Sequence, residues 1–222
     1  MALDRLPGAY GLYDDGWRMT VTLAEAGGIW TSELTSFDRM LGRVESTVTV
    51  GRDGPHHIRI AVRNFNELAE SAYDGYAFTR GRRGFAGLGW WKAVPFGFFA
   101  WPQPPYLLGP YRTDDITPRH LLGTYELLCD GLYGLLALRR LDGDDVHGEL
   151  REPAGAVHPV RATLDADVRH RVRIAVDGDL PPRPPVLDVL MFSHSFTGMA
   201  GTLTWGGQPL GCALVRTEWP AG

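Results

Sequence analysis

Apolar and polar residues alternate along much of this 222-residue chain. In the segment 17–24, WRMTVTLA, apolar residues fall on one face and Arg18, Thr20 and Thr22 fall on the other. A period of two indicates a β-strand with one buried face. Turn signals such as Gly206-Gly207 separate the alternating segments, and short connections make neighbouring strands antiparallel. The pattern therefore predicts many short antiparallel strands.

The second half of the chain repeats the first. Residues 86–100, AGLGWWKAVPFGFFA, and residues 200–214, AGTLTWGGQPLGCAL, share Ala, Gly, Trp, Pro and Gly at an offset of 114. The segment IRIAV at 58–62 is nearly reproduced as VRIAV at 172–176. Because the matches are colinear and the offset drifts only between 114 and 116, they indicate an internal duplication.

Each copy is predicted to contain eight strands. An open eight-stranded meander would leave two exposed edges, and closure into a barrel removes them. The predicted fold class is therefore all-β, with two tandem antiparallel eight-stranded up-and-down β-barrels. The predicted strands span 8–13, 17–24, 28–35, 43–50, 57–62, 74–80, 84–91 and 95–101, then 123–128, 132–139, 145–151, 158–164, 170–176, 187–194, 198–205 and 209–217.

The duplication also predicts the domain boundaries. Residues 1–101 form the first barrel, the proline-rich segment 102–121 is a linker, and residues 122–222 form the second barrel. Within the linker, Thr117-Pro118 is typical of a helix start, with Pro at the first helical position.

A family resemblance follows from short motifs in the two copies. Gly8-Ala-Tyr10 and Gly123-Thr-Tyr125 each open a first strand with Gly-x-aromatic, and Arg216 lies in the last strand. With the eight-stranded meander, these residues resemble the calycins, which include lipocalins, fatty-acid-binding proteins and avidin-like barrels. The first copy departs from the pattern, because Pro102 aligns with Arg216, and Tyr replaces the usual Trp in both copies. The resemblance implies one apolar small molecule bound inside a barrel, and such barrels in bacterial secondary metabolism can act as cyclases.

Composition narrows the classes of function. A net charge of −4 gives no concentrated cationic face for nucleic acid. No run reaches 18 apolar residues and the N-terminus lacks an apolar signal region, so neither a membrane partner nor secretion is expected. Two cysteines without a secretion signal indicate reduced thiols and a cytoplasmic protein.

Aromatic residues are concentrated in the first copy. Sixteen of the 24 lie in 1–101, against five in 123–217. This asymmetry predicts that the first barrel holds the small apolar ligand and that the second is a filled, structural copy. The alternative is that the aromatic side chains only pack a small core. The candidate ligand-binding residues are Trp17, Trp30, Tyr76, Phe78, Trp91 and Phe98.

Two ionisable residues are predicted on the inward face beside these aromatic residues. Asp74 and Arg80 are the candidate catalytic residues, although six residues of strand place them about 20 Å apart, at opposite barrel ends. A partly buried carboxyl can act as an acid or a base. The segment 64–71 begins like a capped helix and could cover one barrel mouth. A barrel that shapes a flexible substrate in this way would be a cyclase or isomerase without a cofactor.

The remaining motifs favour no other enzyme class. The seven histidines match no metal-ligand spacing, so no metal site and no cofactor are expected. The rival hypothesis is a non-enzymatic interaction module with both barrels filled. Strand 187–194, LDVLMFSH, is apolar on both faces, so its outer face is expected to pack against either the other barrel or a second subunit of a homodimer.

The cysteines test barrel closure. Cys129 ends the first strand of the second copy and Cys212 begins its last strand, both on the inward phase. In a closed antiparallel barrel these strands are neighbours, so the two α-carbons should lie within about 8 Å.

Overall fold

The strands form two antiparallel sheets, one for each copy of the repeat. The computed structural model describes residues 5–15, 17–36, 43–44, 46–54, 56–63, 70–78, 83–102, 115–130, 133–178 and 184–219. The predicted fold class, two tandem eight-stranded antiparallel β-barrels, is confirmed, since one sheet is closed and the other nearly closed.

The first barrel is a meander in which strands that follow one another along the chain pair with each other, except at one position, and the last strand pairs with the first. Its strands are β1 (Gly8–Asp14), β2 (Trp17–Ala26), β3 (Ile29–Ser36), β4 (Arg43–Val44), β5 (Ser46–Val50), β6 (His57–Arg63), β7 (Glu70–Ala77), β8 (Phe85–Trp91) and β9 (Val94–Trp101).

The fourth predicted strand, 43–50, is divided into β4 and β5. β4 pairs with β3, whereas β5 pairs with β6. The hydroxyl groups of Ser32 and Ser46 are 2.7 Å apart, and Ser46 Oγ also donates to the Ser32 carbonyl at 3.1 Å. These side-chain contacts join β3 to β5 and bring the two ends of the first sheet together.

The second barrel is closed by backbone pairing throughout. The predicted helical turn is α1 (Pro118–Leu121), where the Thr117 amide donates to His120 Nδ1 at 2.9 Å. The strands that follow are β10 (Gly123–Cys129), β11 (Tyr133–Asp142), β12 (Asp145–Arg151), β13 (Val157–Leu164), β14 (Arg171–Val176), β15 (Val186–Met191), β16 (Gly198–Trp205) and β17 (Gln208–Glu218).

An arginine closes one end of the second barrel. The Arg216 guanidinium lies 4.6 Å from the ring centre of Tyr125 and donates to the carbonyls of Phe196, Leu122 and His120. Gly123 has φ of +142°, and a Cβ there would collide with the guanidinium. The Gly-x-Tyr motif therefore provides both the ring and the open space that this buried arginine needs.

The first barrel has the same arrangement with an arginine from another place in the chain. Arg83, which precedes β8, lies 5.7 Å from the ring centre of Tyr10 and donates to the Pro7 carbonyl. Gly8 has φ of +145°, and a Cβ there would lie 2.5 Å from the Arg83 guanidinium. Both copies thus keep the motif. The arginine lies in the last strand of the second barrel, whereas in the first barrel it precedes β8.

The two barrels pack against each other through an apolar cluster. The rings of Phe99 on β9 and Phe192 after β15 stack with centres 6.0 Å apart. Across the same contact, the Asp15 carboxylate accepts hydrogen bonds from the Ser193 amide at 2.5 Å and from the Ser193 hydroxyl at 2.7 Å. The first barrel therefore covers the outer apolar face of the strand predicted at 187–194. The cluster comprises Tyr13, Phe78, Ala86, Phe99, Trp101, Leu128, Phe192, Ala200, Ala213 and Val215.

The predicted cysteine pair is confirmed by the register of β10 and β17. Cys129 lies directly opposite Cys212, and both thiols are free and buried. Burial raises the pKa of the Cys129 thiol to about 12 and raises the pKa of Cys212 well above its usual value. Both groups are therefore neutral members of the second-barrel core.

Replacing Arg216 tests whether its hydrogen bonds hold the second barrel together. Arg216→Met should lower the free energy of unfolding by about 2–4 kcal/mol, because buried carbonyls lose their donors. Urea unfolding followed by circular dichroism measures this change. Arg161→Met is the matched control, since Arg161 is exposed and its pair with Asp145 spans 3.7 Å. Equal losses in the two variants would contradict the structural role of Arg216.

Candidate functional site

The structure corrects the predicted facing of β7. Tyr73 and Ala77 belong to the first-barrel core, so Asp74 and Tyr76 point to the outer face. Phe78 follows on the same outer phase and packs between the barrels. The prediction that Asp74, Tyr76 and Phe78 face inward is therefore wrong. Its physical cause is the barrel–barrel contact, which makes this part of the sequence apolar on both faces.

Asp74 takes part in an ion-paired cluster on the outer wall. Its Oδ1 lies 2.7 Å from His57 Nε2, and its Oδ2 accepts a hydrogen bond from Arg59 at 3.3 Å. The second barrel has the same arrangement, in which Arg171 donates through Nε to Asp188 at 2.7 Å. A cross-strand pair that recurs at equivalent positions of both copies is typical of a structural contact.

The other predicted ligand residues occupy different environments. Phe98 is fully buried in the first-barrel core, and Trp30 packs against the edge of that core. Trp91 lies on the inward phase of β8 but at its end, where it is 51% exposed. The side chain of Trp17 and all of Arg80 lie outside the described residues, as does 64–69 of the predicted 64–71 helix. Residues 70 and 71 of that segment are strand, since β7 begins at Glu70.

A buried carboxyl inside the first barrel is the polar feature that the sequence analysis missed. Asp14 shares the inward phase of β1 with Tyr10 and Leu12 and is only 6% exposed. The Tyr73 hydroxyl donates to Asp14 Oδ2 at 2.5 Å. Asp14 Oδ1 is buried and has no hydrogen-bond partner among the described residues. Burial of such an atom lowers the stability of the fold, because its hydrogen bonds to water are lost and no protein group replaces them.

Burial changes the protonation of this pair. It raises the pKa of Asp14 to about 7, with the Tyr73 hydrogen bond opposing the shift and the nearby charge of Asp15 adding to it. Burial also raises the pKa of Tyr73 well above its usual value, and the Asp14 charge reinforces that shift. Near neutral pH, the Asp14 carboxyl is therefore present in both its protonated and its ionised form. Tyr73 stays neutral and acts as a hydrogen-bond donor.

Aromatic rings surround the pair. Phe98 lies directly opposite Asp14 in the pairing of β1 with β9. The Tyr73 ring makes edge-to-face contacts with Phe98 at 5.2 Å and with Phe96 at 5.6 Å between ring centres. The carboxyl thus sits among apolar rings, which accounts for its desolvation.

The pair lies near one end of the first barrel, which we call the Asp14 mouth and define by Asp14, Ser71, Tyr73, Trp91 and Phe96. The β1–β2 and β8–β9 hairpins both lie at this end. Asp14 is the last residue of β1, and its partner Phe98 follows the first residues of the antiparallel strand β9. Trp91 pairs with Ser71, two residues before Tyr73 on the same face of β7. The predicted ligand residue Trp91 is therefore at the rim of this mouth.

The second barrel lacks the polar pair. The position equivalent to Asp14 is Cys129, and the position equivalent to Tyr73 is Leu187, which pairs with Ile174 and Leu203 as Tyr73 pairs with Ile60 and Gly89. Both Cys129 and Leu187 belong to the apolar core of the second barrel. The same fold is thus complete without a carboxyl at this position.

The sequence contained a signal for Asp14. Its phase on β1 matches that of Tyr10 and Leu12, and its counterpart Cys129 was already predicted to face inward. The turn pattern Asp14-Asp15-Gly16 gave the residue a simpler explanation, as a turn residue. Its partner Tyr73 was missed because the phase of β7 was wrong.

No family model and no curated protein matches the chain. The calycin resemblance therefore gains no support from these comparisons. A hemagglutinin from Myxococcus xanthus, solved in complex with a3,a6-mannopentaose, is 13% identical with a TM-score of 0.20, over 95% of this chain and 91% of that chain. An agglutinin from Burkholderia oklahomensis is 11% identical with a TM-score of 0.19, over 96% and 85%. Scores this low do not establish a shared fold, so the architecture rests on the strand pairing.

Two other structural features are absent from the described part of the chain. It contains no helix long and apolar enough to cross a membrane. It also contains no cluster of three or more His, Cys, Asp or Glu side chains that could hold a metal ion.

The raised pKa of Asp14 predicts a pH dependence of stability. The unfolded chain loses the Asp14 proton near pH 3.9, whereas the folded protein keeps it until about pH 7. The stability that Asp14 contributes is therefore full at low pH and is lost as the pH rises through this window. The loss should be on the order of 4 kcal/mol, at about 1.4 kcal/mol for each pKa unit.

Comparing variants isolates this contribution. Asp14→Asn should remove the fall, because the amide does not titrate, whereas Asp142→Asn at an exposed position should keep it. Urea unfolding between pH 4 and pH 8 measures the three proteins. Parallel curves for the native protein and Asp14→Asn would show that the folded-state pKa of Asp14 is not raised.

Proposed function

We propose that the first barrel binds a small molecule at the Asp14 mouth, with a mostly apolar body among the rings and one polar group on the Asp14 carboxyl. The protein would act as a carrier of this molecule. The observation that carries the proposal is Asp14 Oδ1, which is buried and without a hydrogen-bond partner in the described structure. A ligand would supply the missing hydrogen bond.

The second barrel supplies the argument against a purely structural role. Cys129 and Leu187 fill the equivalent positions with apolar side chains, and the barrel closes with the same hairpin register. A buried carboxyl is therefore not a requirement of this fold. Groups that cost stability and are dispensable for folding are typical of binding and catalytic sites.

The rim of the mouth also differs between the copies. Trp205 of the second barrel packs against its own core, whereas Trp91 at the equivalent hairpin position is half exposed. Val94, which pairs with Trp91 on the same face, is exposed as well. Exposed aromatic and apolar side chains at the edge of a barrel interior favour contact with an apolar ligand.

A cofactor-independent isomerase or cyclase is the second candidate function. It is favoured by the pKa of about 7 for Asp14, since an acid–base group is most effective when its pKa lies near the working pH. In such an enzyme, Asp14 would accept and donate the proton of the substrate, and the hydrogen bond from Tyr73 would hold the Asp14 carboxyl in position. These two residues take the place of Asp74 and Arg80 as the proposed polar groups.

The outer face of strand 187–194, expected to pack against the other barrel or a second subunit, is covered by the first barrel. A second subunit is therefore not required to explain the pattern. The rival hypothesis of an interaction module with both barrels filled stays a prediction.

A paired substitution tests the binding proposal. Asp14→Cys combined with Tyr73→Phe gives the first barrel the residue of the second barrel at position 14 and removes both ends of the hydrogen bond together. We expect the double variant to unfold at a higher temperature at pH 8 and to lose the ligand, because the buried charge and its binding role disappear together.

Native mass spectrometry of the protein purified from its own organism detects the ligand, and thermal unfolding measures stability. Asp74→Asn is the control, since Asp74 lies on the outer wall, and it should keep the ligand. A bound molecule that survives the double substitution would place the ligand elsewhere. A double variant that is less stable and has an unchanged ligand complement would make the pair structural.

A further inference from the structure

We infer that the ligand of the Asp14 mouth carries an organic ammonium group, an inference that rests on the proposed function. Three features support an ammonium group: the carboxyl groups of the site, the arrangement of its rings, and the contact of the Lys92 ammonium group with Trp91 at the rim.

Two carboxyl groups, on consecutive residues, lie at the mouth, and Lys92 is the described cation at its rim. Asp14 offers a buried carboxyl oxygen, and Asp15, next to it, adds a second negative charge while its carboxylate binds Ser193 of the other barrel. The described cations nearby are directed to the outside: Arg18 lies 5.2 Å from the ring centre of Tyr13, on the face toward the second barrel. A cationic ligand would supply the missing countercharge, and an anionic ligand would be repelled.

The rings suit a cation as well as an apolar body. The Tyr73 ring meets Phe96 and Phe98 edge to face, so its plane lies at a steep angle to each of theirs beside the carboxyl. Aromatic faces attract ammonium groups, and the attraction increases when the cation is desolvated. A carboxylate among aromatic rings therefore favours an ammonium group over a neutral hydroxyl group.

Lys92 is an example of an ammonium group in contact with an aromatic ring at the rim. Its Nζ lies 5.1 Å from the ring centre of Trp91, in the hairpin that borders the mouth. Lys92 is the only lysine in the chain, and it occurs at this exposed turn with φ of +49°. The indole thus already contacts an alkylammonium group from the outside.

Ammonium binding also has a predicted pH dependence. Four charged or titratable groups of the described residues lie around this mouth: Asp15 from the same turn as Asp14, Tyr73 from β7, Arg18 on the face toward the second barrel, and Lys92 at the rim. Only ionised Asp14 attracts the cation fully, so the affinity should rise with pH between 6 and 8. A neutral ligand that donates one hydrogen bond would not show this increase.

Three matched probes distinguish the ligand classes: 2-phenylethylamine, 2-phenylethanol and 3-phenylpropionate. They share a phenyl ring on a two-carbon chain and end in an ammonium, a hydroxyl and a carboxylate group. Isothermal titration calorimetry at pH 6 and pH 8 measures their affinities for the full chain. We expect the amine to bind at least about tenfold more tightly than the alcohol at pH 8, a difference of about 1.4 kcal/mol, with the weakest binding for the carboxylate.

Asp14→Asn should abolish the preference for the amine while leaving the affinity for the alcohol nearly unchanged. Asp74→Asn, which removes a carboxylate from the outer wall of the same barrel, should preserve the preference. Equal binding of amine and alcohol, or a preference that survives Asp14→Asn, would overturn the ammonium inference and still support a ligand site. No binding by any of the three probes would contradict both the inference and the proposed function.

Discussion

The structure depends on the antiparallel pairing between the first and last strands of each barrel. In the first barrel this pairing places Asp14 opposite Phe98, and in the second it places Cys129 opposite Cys212. Closure creates an interior that excludes water, so the residue at this position is desolvated in both copies. A thiol tolerates that environment, whereas a carboxyl responds with a raised pKa. The chemistry of the site thus follows from barrel closure.

The duplication makes the second barrel a natural comparison for the first. Both copies keep the Gly-x-Tyr motif with an arginine against the tyrosine ring, and both keep an ion-paired aspartate on the outer wall. They differ at the two positions that form the buried polar pair, where the second copy has Cys129 and Leu187. The contacts that the copies share are structural, whereas the buried polar pair of the first copy has no counterpart in the second.

Much of this architecture could be predicted from the sequence, because the strands are short and the same series of strands occurs in both copies. The hairpin at 91–94 and its counterpart at 205–208 have the same register, and the paired cysteines followed from closure alone. The site could not be predicted as well. Alternation places Asp74 in the interior, contrary to the structure, because β7 lies near the barrel–barrel contact, where outer residues are also apolar. Alternation gives the phase of a strand only when one of its faces is exposed to water.

The central claim is that Asp14 is a desolvated carboxyl whose free oxygen is available to a ligand. Carbon-detected NMR of the Asp14 side-chain carboxyl, assigned by comparison with Asp14→Asn, measures its pKa directly in the folded protein. A titration midpoint near pH 7 that falls on addition of 2-phenylethylamine is the predicted result. A midpoint near pH 4, unchanged by the amine, would show a solvated carboxyl and contradict the claim.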